Sequence, residues 1–300
     1  MIIKAPINLE LTQMSGQTSQ PPWSKNNNIY SNNILINNEL VEFQVKQNNE
    51  FLEYDFKGNI NEKEAESRIK YIFDLDFNLN KFYKYLDNHD ELCEMSRFCN
   101  GLRLFLASNP FECIISSICS ANNSIKRWTK SISDIKEKFS ENNIFPSPQT
   151  LQKVYIDSDE EYDKTNSNDI HKCTNNLKEC GVGYRAPYMR RASEIFTLEI
   201  DVLEISKMKY EEAYETILKI PGVGPKVADC ILLYGFNFKQ AFPTDIWIKR
   251  IISHLYFEGA DISVGKVREF GMEEFKDNAG YVQLYLFHYA RMSGLMKKIK

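Results

Sequence analysis

Pro221-Gly222-Val223-Gly224-Pro225-Lys226-Val227-Ala228-Asp229-Cys230 sets a glycine-rich turn directly before a lysine and an apolar helix. A carboxylate follows in Phe242-Pro243-Thr244-Asp245. Backbone N–H groups of such a turn, and of the first helical residues, lack partners within the helix. Pointed outward, they grip a phosphate without reading a base. A lysine beside that grip is a candidate amine nucleophile toward a sugar carbon. A carboxylate near the same carbon would stabilise the positive charge that develops there. The same residues also suit an ordinary tight connection between two helices, with Asp245 as an N-cap after Pro243.

The elements that must position these groups change character near residue 60. Before it, Ile34–Ile36, Leu40–Val45 and Phe51–Phe56 carry the alternation of short strands. Asparagine tolerates positive φ, so Asn26–Asn28, Asn32–Asn33 and Asn48–Asn49 are expected at the turns. After it the helical period takes over, first in Glu62–Phe73, whose Ala65, Ile69, Ile72 and Phe73 share one face. Further helices are expected over 79–87, 91–106, 110–120, 122–138, 148–155, 169–179, 185–196, 200–206, 209–219, 225–236, 244–256, 264–273 and 279–295. The predicted fold class is α+β. A small antiparallel β domain with its following helices occupies 1–90, and a large all-helical domain occupies 91–300 with the hairpin at 209–236.

The composition, 43% hydrophobic and 26% charged over 300 residues, is that of a globular protein. No apolar stretch approaches the roughly 20 residues that cross a bilayer, and no signal peptide is read, so no membrane and an intracellular location are expected. The net charge of −4 argues weakly against a nucleic-acid partner. Much of it is local, however, in an acidic, exposed loop over 157–168, and phosphate binding depends on where the cations lie. The seven cysteines have no metal-ligand rhythm, and none follows Cys230, so no C-terminal iron–sulfur cluster is expected.

Taken together, Ile220–Cys230 and Ala241–Asp245 resemble the helix-hairpin-helix (HhH-GPD) DNA glycosylases, in particular their 8-oxoguanine branch. The resemblance extends through Ser15-Gly16-Gln17-Thr18, Gly101–Phe105, Asn109–Arg127, Gly181–Tyr188 and Gly280–Phe287, in the order of that family. Two departures stand out. Ser19-Gln20-Pro21-Pro22-Trp23 is two residues longer than the family's usual Phe-Arg-Trp, and Trp247 replaces a histidine near the acid.

The resemblance implies a bifunctional glycosylase and abasic-site lyase that acts on 8-oxoguanine opposite cytosine in double-stranded DNA. Lys226 would be the Schiff-base nucleophile and Asp245 the assisting acid. Gly16 would offer its carbonyl to N7–H of the lesion, Gln283 would read the base edge, and Cys230 and Phe287 would sandwich its faces. Asn122 would fill the gap left by the extruded base, Arg127 and Arg185 would bind the orphaned cytosine, and Tyr184 would wedge the stack. Gly222, Val223 and Gly224 would hold phosphate. A monovalent cation at the carbonyls of Leu218, Ile220 and Val223 is implied, with no other cofactor required. A monomer working on DNA is expected, in nucleus or nucleoid. The alternatives are a relative of different lesion choice, or a non-catalytic hairpin module that only binds DNA.

Overall fold

The structure is a computed structural model that describes residues 1–157 and 176–299. Most of the acidic stretch 157–168, most of the helix expected over 169–179, and Cys173 lie outside the described residues.

Five strands, β1 (Ile2–Lys4), β2 (Ser24–Asn26), β3 (Ile29–Ile36), β4 (Glu39–Asn48) and β5 (Phe51–Lys57), form one antiparallel sheet in the order β1-β5-β4-β3-β2. Its register pairs Tyr30 with Val45 and Val45 with Tyr54, which aligns Val41, Phe43 and Val45 with Leu52 and Tyr54 on one buried face. Helix α2 (Glu62–Ile72) covers that face with Ala65, Ile69 and Ile72. It starts with a capping box, Asn61 accepting from the Glu64 N–H and Glu64 reaching back to the Asn61 N–H.

Asn27 and Asn49 adopt positive φ in turns, as their type predicts. Asn32 and Asn33 do not turn the chain. They lie inside β3, opposite Phe43 and Glu42, and the turn falls instead at Asn37 and Asn38, with φ of 51° and 66°. Reversing the chain at Asn32 would have cut off the buried Ile34 and Ile36 from the sheet.

The remainder is helical. A short α1 (Leu9–Met14) precedes the sheet proper, and α3 (Leu79–Asp87), α4 (Cys93–Phe98), α5 (Pro110–Ser120), α6 (Ile125–Phe139) and α7 (Pro148–Leu151) follow α2. Beyond the undescribed segment come α8 (Ala186–Leu198), α9 (Tyr210–Leu218), α10 (Pro225–Cys230), α11 (Ile246–Tyr256), α12 (Val264–Phe275), α13 (Ala279–Met292) and α14 (Leu295–Lys298). The helix expected over 91–106 exists only as α4. At Gly101, φ is +79° and an added Cβ would lie 2.5 Å from the backbone nitrogen of Asn8, so the chain leaves the helix there. Leu102–Ala107 then runs outside any helix or strand, buried between the two halves of the molecule. Residues 202–207 form a 3₁₀ turn rather than an α-helix.

Arg103, in that run, is a buried charge that knits the halves together. It donates through Nε to the Pro6 carbonyl at 2.9 Å, and through Nη1 to the carbonyls of Asp74 at 2.5 Å and Phe77 at 3.2 Å. Asp74 in turn accepts from Lys239 at 2.9 Å and from the Tyr281 hydroxyl at 2.8 Å. No helix among the described residues is long and apolar enough to cross a membrane.

Candidate active site

Helix α9 ends at Leu218, and the chain turns through Gly222, whose φ is +82°. The Val223 N–H closes the turn on the Ile220 carbonyl at 3.1 Å. Gly224 then stands at the N-cap of α10 with no side chain to satisfy the helix's first donors, and Pro225 occupies the first helical position. Glycine is required at 222 by a neighbour as well as by its φ: an added Cβ would lie 2.6 Å from the Tyr188 ring. At Gly224, nothing comes within 4 Å of the same atom, so this side of the turn is open.

Lys226 sits half-buried in the first turn of α10, one helical turn before Cys230. The two side chains meet. Burial pushes the Cys230 thiol above its ordinary value, and the Lys226 ammonium beside it pulls the other way. Asp245 acts on the same thiol, so lysine, cysteine and carboxylate share one electrostatic neighbourhood. Asp245 is also the N-cap of α11. Its Oδ1 accepts from the N–H groups of Trp247 and Ile248, both at 2.9 Å. Its Oδ2 accepts no hydrogen bond among the described residues. One oxygen fixes the carboxylate and the other stays available.

After Cys230 the helix widens into a π turn over Ile231–Gly235, a feature that often marks functional sites. It replaces the uniform helix expected over 225–236. Tyr234 lies in this turn, buried, and its hydroxyl donates to Gln283 Oε1 at 3.5 Å. Burial holds the Tyr234 hydroxyl well above the usual tyrosine range, with Cys230 adding to the effect. Gln283 is therefore linked through Tyr234 to the Cys230 neighbourhood. Phe287 lies one turn along α13 from Gln283 and is half-buried.

Gly16 has φ +85°, and an added Cβ would lie 2.3 Å from Ile125 Cδ1, at the start of α6. The longer Ser19–Trp23 segment does not loosen this turn. Gln17 donates to Ser15 Oγ and to the Arg103 carbonyl, both at 2.9 Å, and accepts from the Phe105 N–H at 2.8 Å. Thr18 meets Ser117 at 2.8 Å, and Gln20 donates to the Leu106 carbonyl at 3.2 Å.

Asn122 is exposed with φ 49° at the end of α5. Arg185, buried, reaches across to that end. Nε donates to the Ala121 carbonyl at 2.9 Å, and Nη2 donates to the same carbonyl and to that of Asn122 at 3.1 Å. Nη1 donates to the Val182 carbonyl at 3.2 Å. Four of its N–H donations therefore go to backbone, which leaves the guanidinium little capacity for a base. Its plane stacks on the exposed Tyr184 ring at 4.4 Å, and Tyr184 meets Tyr188 edge-on at 6.4 Å. Tyr188 is the ring under Gly222, so the 184–188 segment and the hairpin are packed together. Arg127 is exposed in the first turn of α6, and among the described residues no side-chain hydrogen bond or ion pair joins it to the others.

Sequence reasoning missed Tyr234 and Arg291. Neither lay in a motif, and only spacing to Cys230 and Phe287, four residues each, could have flagged them.

Similarity to known proteins agrees with this geometry. Residues 1–114 match the 8-oxoguanine DNA glycosylase N-terminal domain, and residues 115–277 match the HhH-GPD superfamily base excision DNA repair proteins. A probable N-glycosylase/DNA lyase of Methanothermobacter thermautotrophicus is 43% identical, covering 97% of this chain and 96% of that protein. The Clostridium acetobutylicum 8-oxoguanine glycosylase/lyase, solved with double-stranded DNA containing cytosine opposite 8-oxoguanine, superposes with TM-score 0.75 at 29% identity, covering 98% of each chain. The Archaeoglobus fulgidus 3-methyladenine DNA glycosylase, at 23% identity and TM-score 0.76, shares the fold over 98% of this chain and 99% of its own.

A helix-hairpin-helix set behind an antiparallel sheet, with a lysine at the second helix's entry, defines a class of base-excision enzymes. The chain belongs to the HhH-GPD superfamily and, within it, to the 8-oxoguanine DNA glycosylases, the N-glycosylase/DNA lyases of base excision repair.

Proposed function

We propose that Lys226 and Asp245 carry out the excision of 8-oxoguanine and the strand cleavage that follows. The Lys226 amine forms a bond to C1′ as the bond from C1′ to N9 breaks, its electron pair leaving with the base, which takes up a proton. Opening of the sugar ring gives the protonated imine. Loss of a C2′ proton then expels the 3′ phosphate and cuts the strand. The free Oδ2 of Asp245 stabilises the charge on the sugar as the first bond breaks. The observation that carries this assignment is the placement of Lys226 in the first turn of α10, beside the open side of the hairpin turn, with the Asp245 carboxylate at the N-cap of α11 keeping one oxygen unused among the described residues.

The substrate is double-stranded DNA with the lesion opposite cytosine, as in the Clostridium complex. Extruding a base costs a few kcal/mol, which contacts to the flipped base and the gap must offset. Gly16, Gln283, Cys230 and Phe287 read and sandwich the base. Asn122 and Tyr184 occupy the opened stack, and Arg127 meets the orphaned cytosine. With its donors held by backbone carbonyls, Arg185 contributes chiefly by fixing the Asn122 segment. The N–H groups of Gly222 and Gly224 take the phosphate, whereas the Val223 N–H, expected there too, is held by the Ile220 carbonyl and closes the turn. The oxygen donors of Leu218, Ile220 and Val223 suit a hard monovalent cation, since a carbonyl such as that of Ile220, which already accepts from Val223, retains a second lone pair. The protein works as a monomer on DNA, with residues 1–90 as the sheet domain and 91–300 as the catalytic one.

Borohydride trapping tests the assignment. A covalent adduct with an 8-oxoguanine duplex is expected for the parent and is lost in Lys226→Gln. Release of 8-oxoguanine without an adduct would remove the Schiff base from the mechanism, release from an alkylated-purine duplex alone would point to a relative of different lesion choice, and binding without release to a non-catalytic module.

A further inference from the structure

Arg291 lies in the last turn of α13, one helical turn beyond Phe287 and on the same face. Its Nη1 donates to the Ser15 carbonyl at 2.9 Å, joining residues 276 positions apart. Its guanidinium carbon stands 5.3 Å from the centre of the Phe287 ring. The same Nη1 would lie 3.4 Å from a Cβ added at Gly16. The other anchors of this turn lie on α1, the Arg103–Phe105 run and α5, none of them on α13. Ser15 Oγ donates to the Thr12 carbonyl at 2.7 Å, and Gln17 is held by Ser15 and Arg103. Arg291 supplies the hydrogen bond that joins the turn to α13.

Resting on the reading that Gly16 and Phe287 face the flipped base, we propose that Arg291 is a positioning residue for lesion recognition. By holding the Ser15 carbonyl and lying over the Phe287 ring, it fixes the Gly16 peptide relative to the aromatic wall. The Gly16 carbonyl is one peptide unit from the anchored one, so anchoring Ser15 sets its orientation. A charge-assisted hydrogen bond and a cation–π contact are both directional. Burial lowers the guanidinium's pKa below its usual value, and among the described residues it has a single hydrogen-bond acceptor. A methionine would fill the space without that desolvation, so the arginine contributes position rather than packing.

Single-turnover assays on two duplexes separate this role from a merely structural one. One duplex carries 8-oxoguanine opposite cytosine, and the other an abasic site, which has no base to read. In Arg291→Met, release of 8-oxoguanine is expected to slow about tenfold or more, the equivalent of one lost directional contact. Borohydride trapping on the abasic duplex stays near the parent level. Arg291→Lys, whose ammonium can still reach the Ser15 carbonyl, recovers part of the loss. Equal losses on both duplexes, or no loss on either in both variants, would overturn the proposal. A parent chain that cleaved abasic DNA but released no 8-oxoguanine would sink the functional reading itself, a result distinct from either.

Discussion

Arg268 grips Asp229 with a two-point fork, Nε to Oδ2 at 2.6 Å and Nη2 to Oδ1 at 3.0 Å, and the Tyr210 hydroxyl adds a third contact at 2.6 Å. Asp229 is fully buried, one residue from Cys230. The pair ties both hairpin helices to α12. Removing one partner strands a buried charge, so Arg268→Met is expected to cost about 3–5 kcal/mol of stability. The double replacement Asp229→Leu with Arg268→Met should cost much less. Urea unfolding of both variants checks this, and equal costs would contradict it.

Asp245 combines a cap and a charge, and two substitutions separate them. Asp245→Asn keeps a capping oxygen for the Trp247 and Ile248 N–H groups and removes the charge. Its excision rate should fall by about 10²–10³ with little change in melting temperature. Asp245→Ala should lose about 1 kcal/mol of stability in addition. Single-turnover kinetics and thermal melts decide.

The two hairpin glycines should fail differently. Gly222→Ala must push Tyr188 aside and strain a φ of +82°, so both folding stability and DNA affinity drop. Gly224→Ala meets no atom within 4 Å, and its stability should stay within about 0.5 kcal/mol. Its methyl group would stand where the proposed phosphate contact forms, so duplex affinity measured by fluorescence anisotropy should weaken. Unchanged affinity in Gly224→Ala would place the DNA backbone elsewhere.

His288 supplies a pH dependence. Burial, then the Arg291 charge, lowers its pKa from the ordinary 6.5, and its Nδ1 is buried without a hydrogen-bond partner among the described residues. The native state favours the neutral ring, while the unfolded chain takes up the proton more readily. Stability is therefore fully present above about pH 6.5 and declines as pH falls through the lowered value. Melting temperatures of the parent and His288→Leu should diverge on acidification, with the parent falling further. Parallel profiles would refute this.

What the sequence made legible divides along physical lines. Strong periodicity located the helices that carry Lys226, Asp245 and Gln283, because one apolar face repeats over several turns. Strands β1 and β2 escaped, being three residues each at the sheet's edges, too short for any alternation to register. The run Leu102–Ala107 was misread because a mostly apolar sequence, interrupted only by Arg103, fits a buried segment without regular structure as well as a buried helix. The π turn left no local signature. Motif residues could be named but not their partners: nothing in the sequence shows that Arg185 spends its donors on Ala121 and Asn122, or that Tyr234 and Arg291 stand behind Gln283 and Phe287.

Arg185 holds the Ala121 and Asn122 carbonyls, which flank the left-handed turn of Asn122 at the end of α5. The conformation of Asn122 is therefore settled when the protein folds, before any duplex arrives. Whatever it costs to bend an asparagine to φ 49° is met in advance by the protein's own stability. In the role proposed for Asn122, a parting strand would encounter a plug already in shape rather than one that must be ordered in the act of binding.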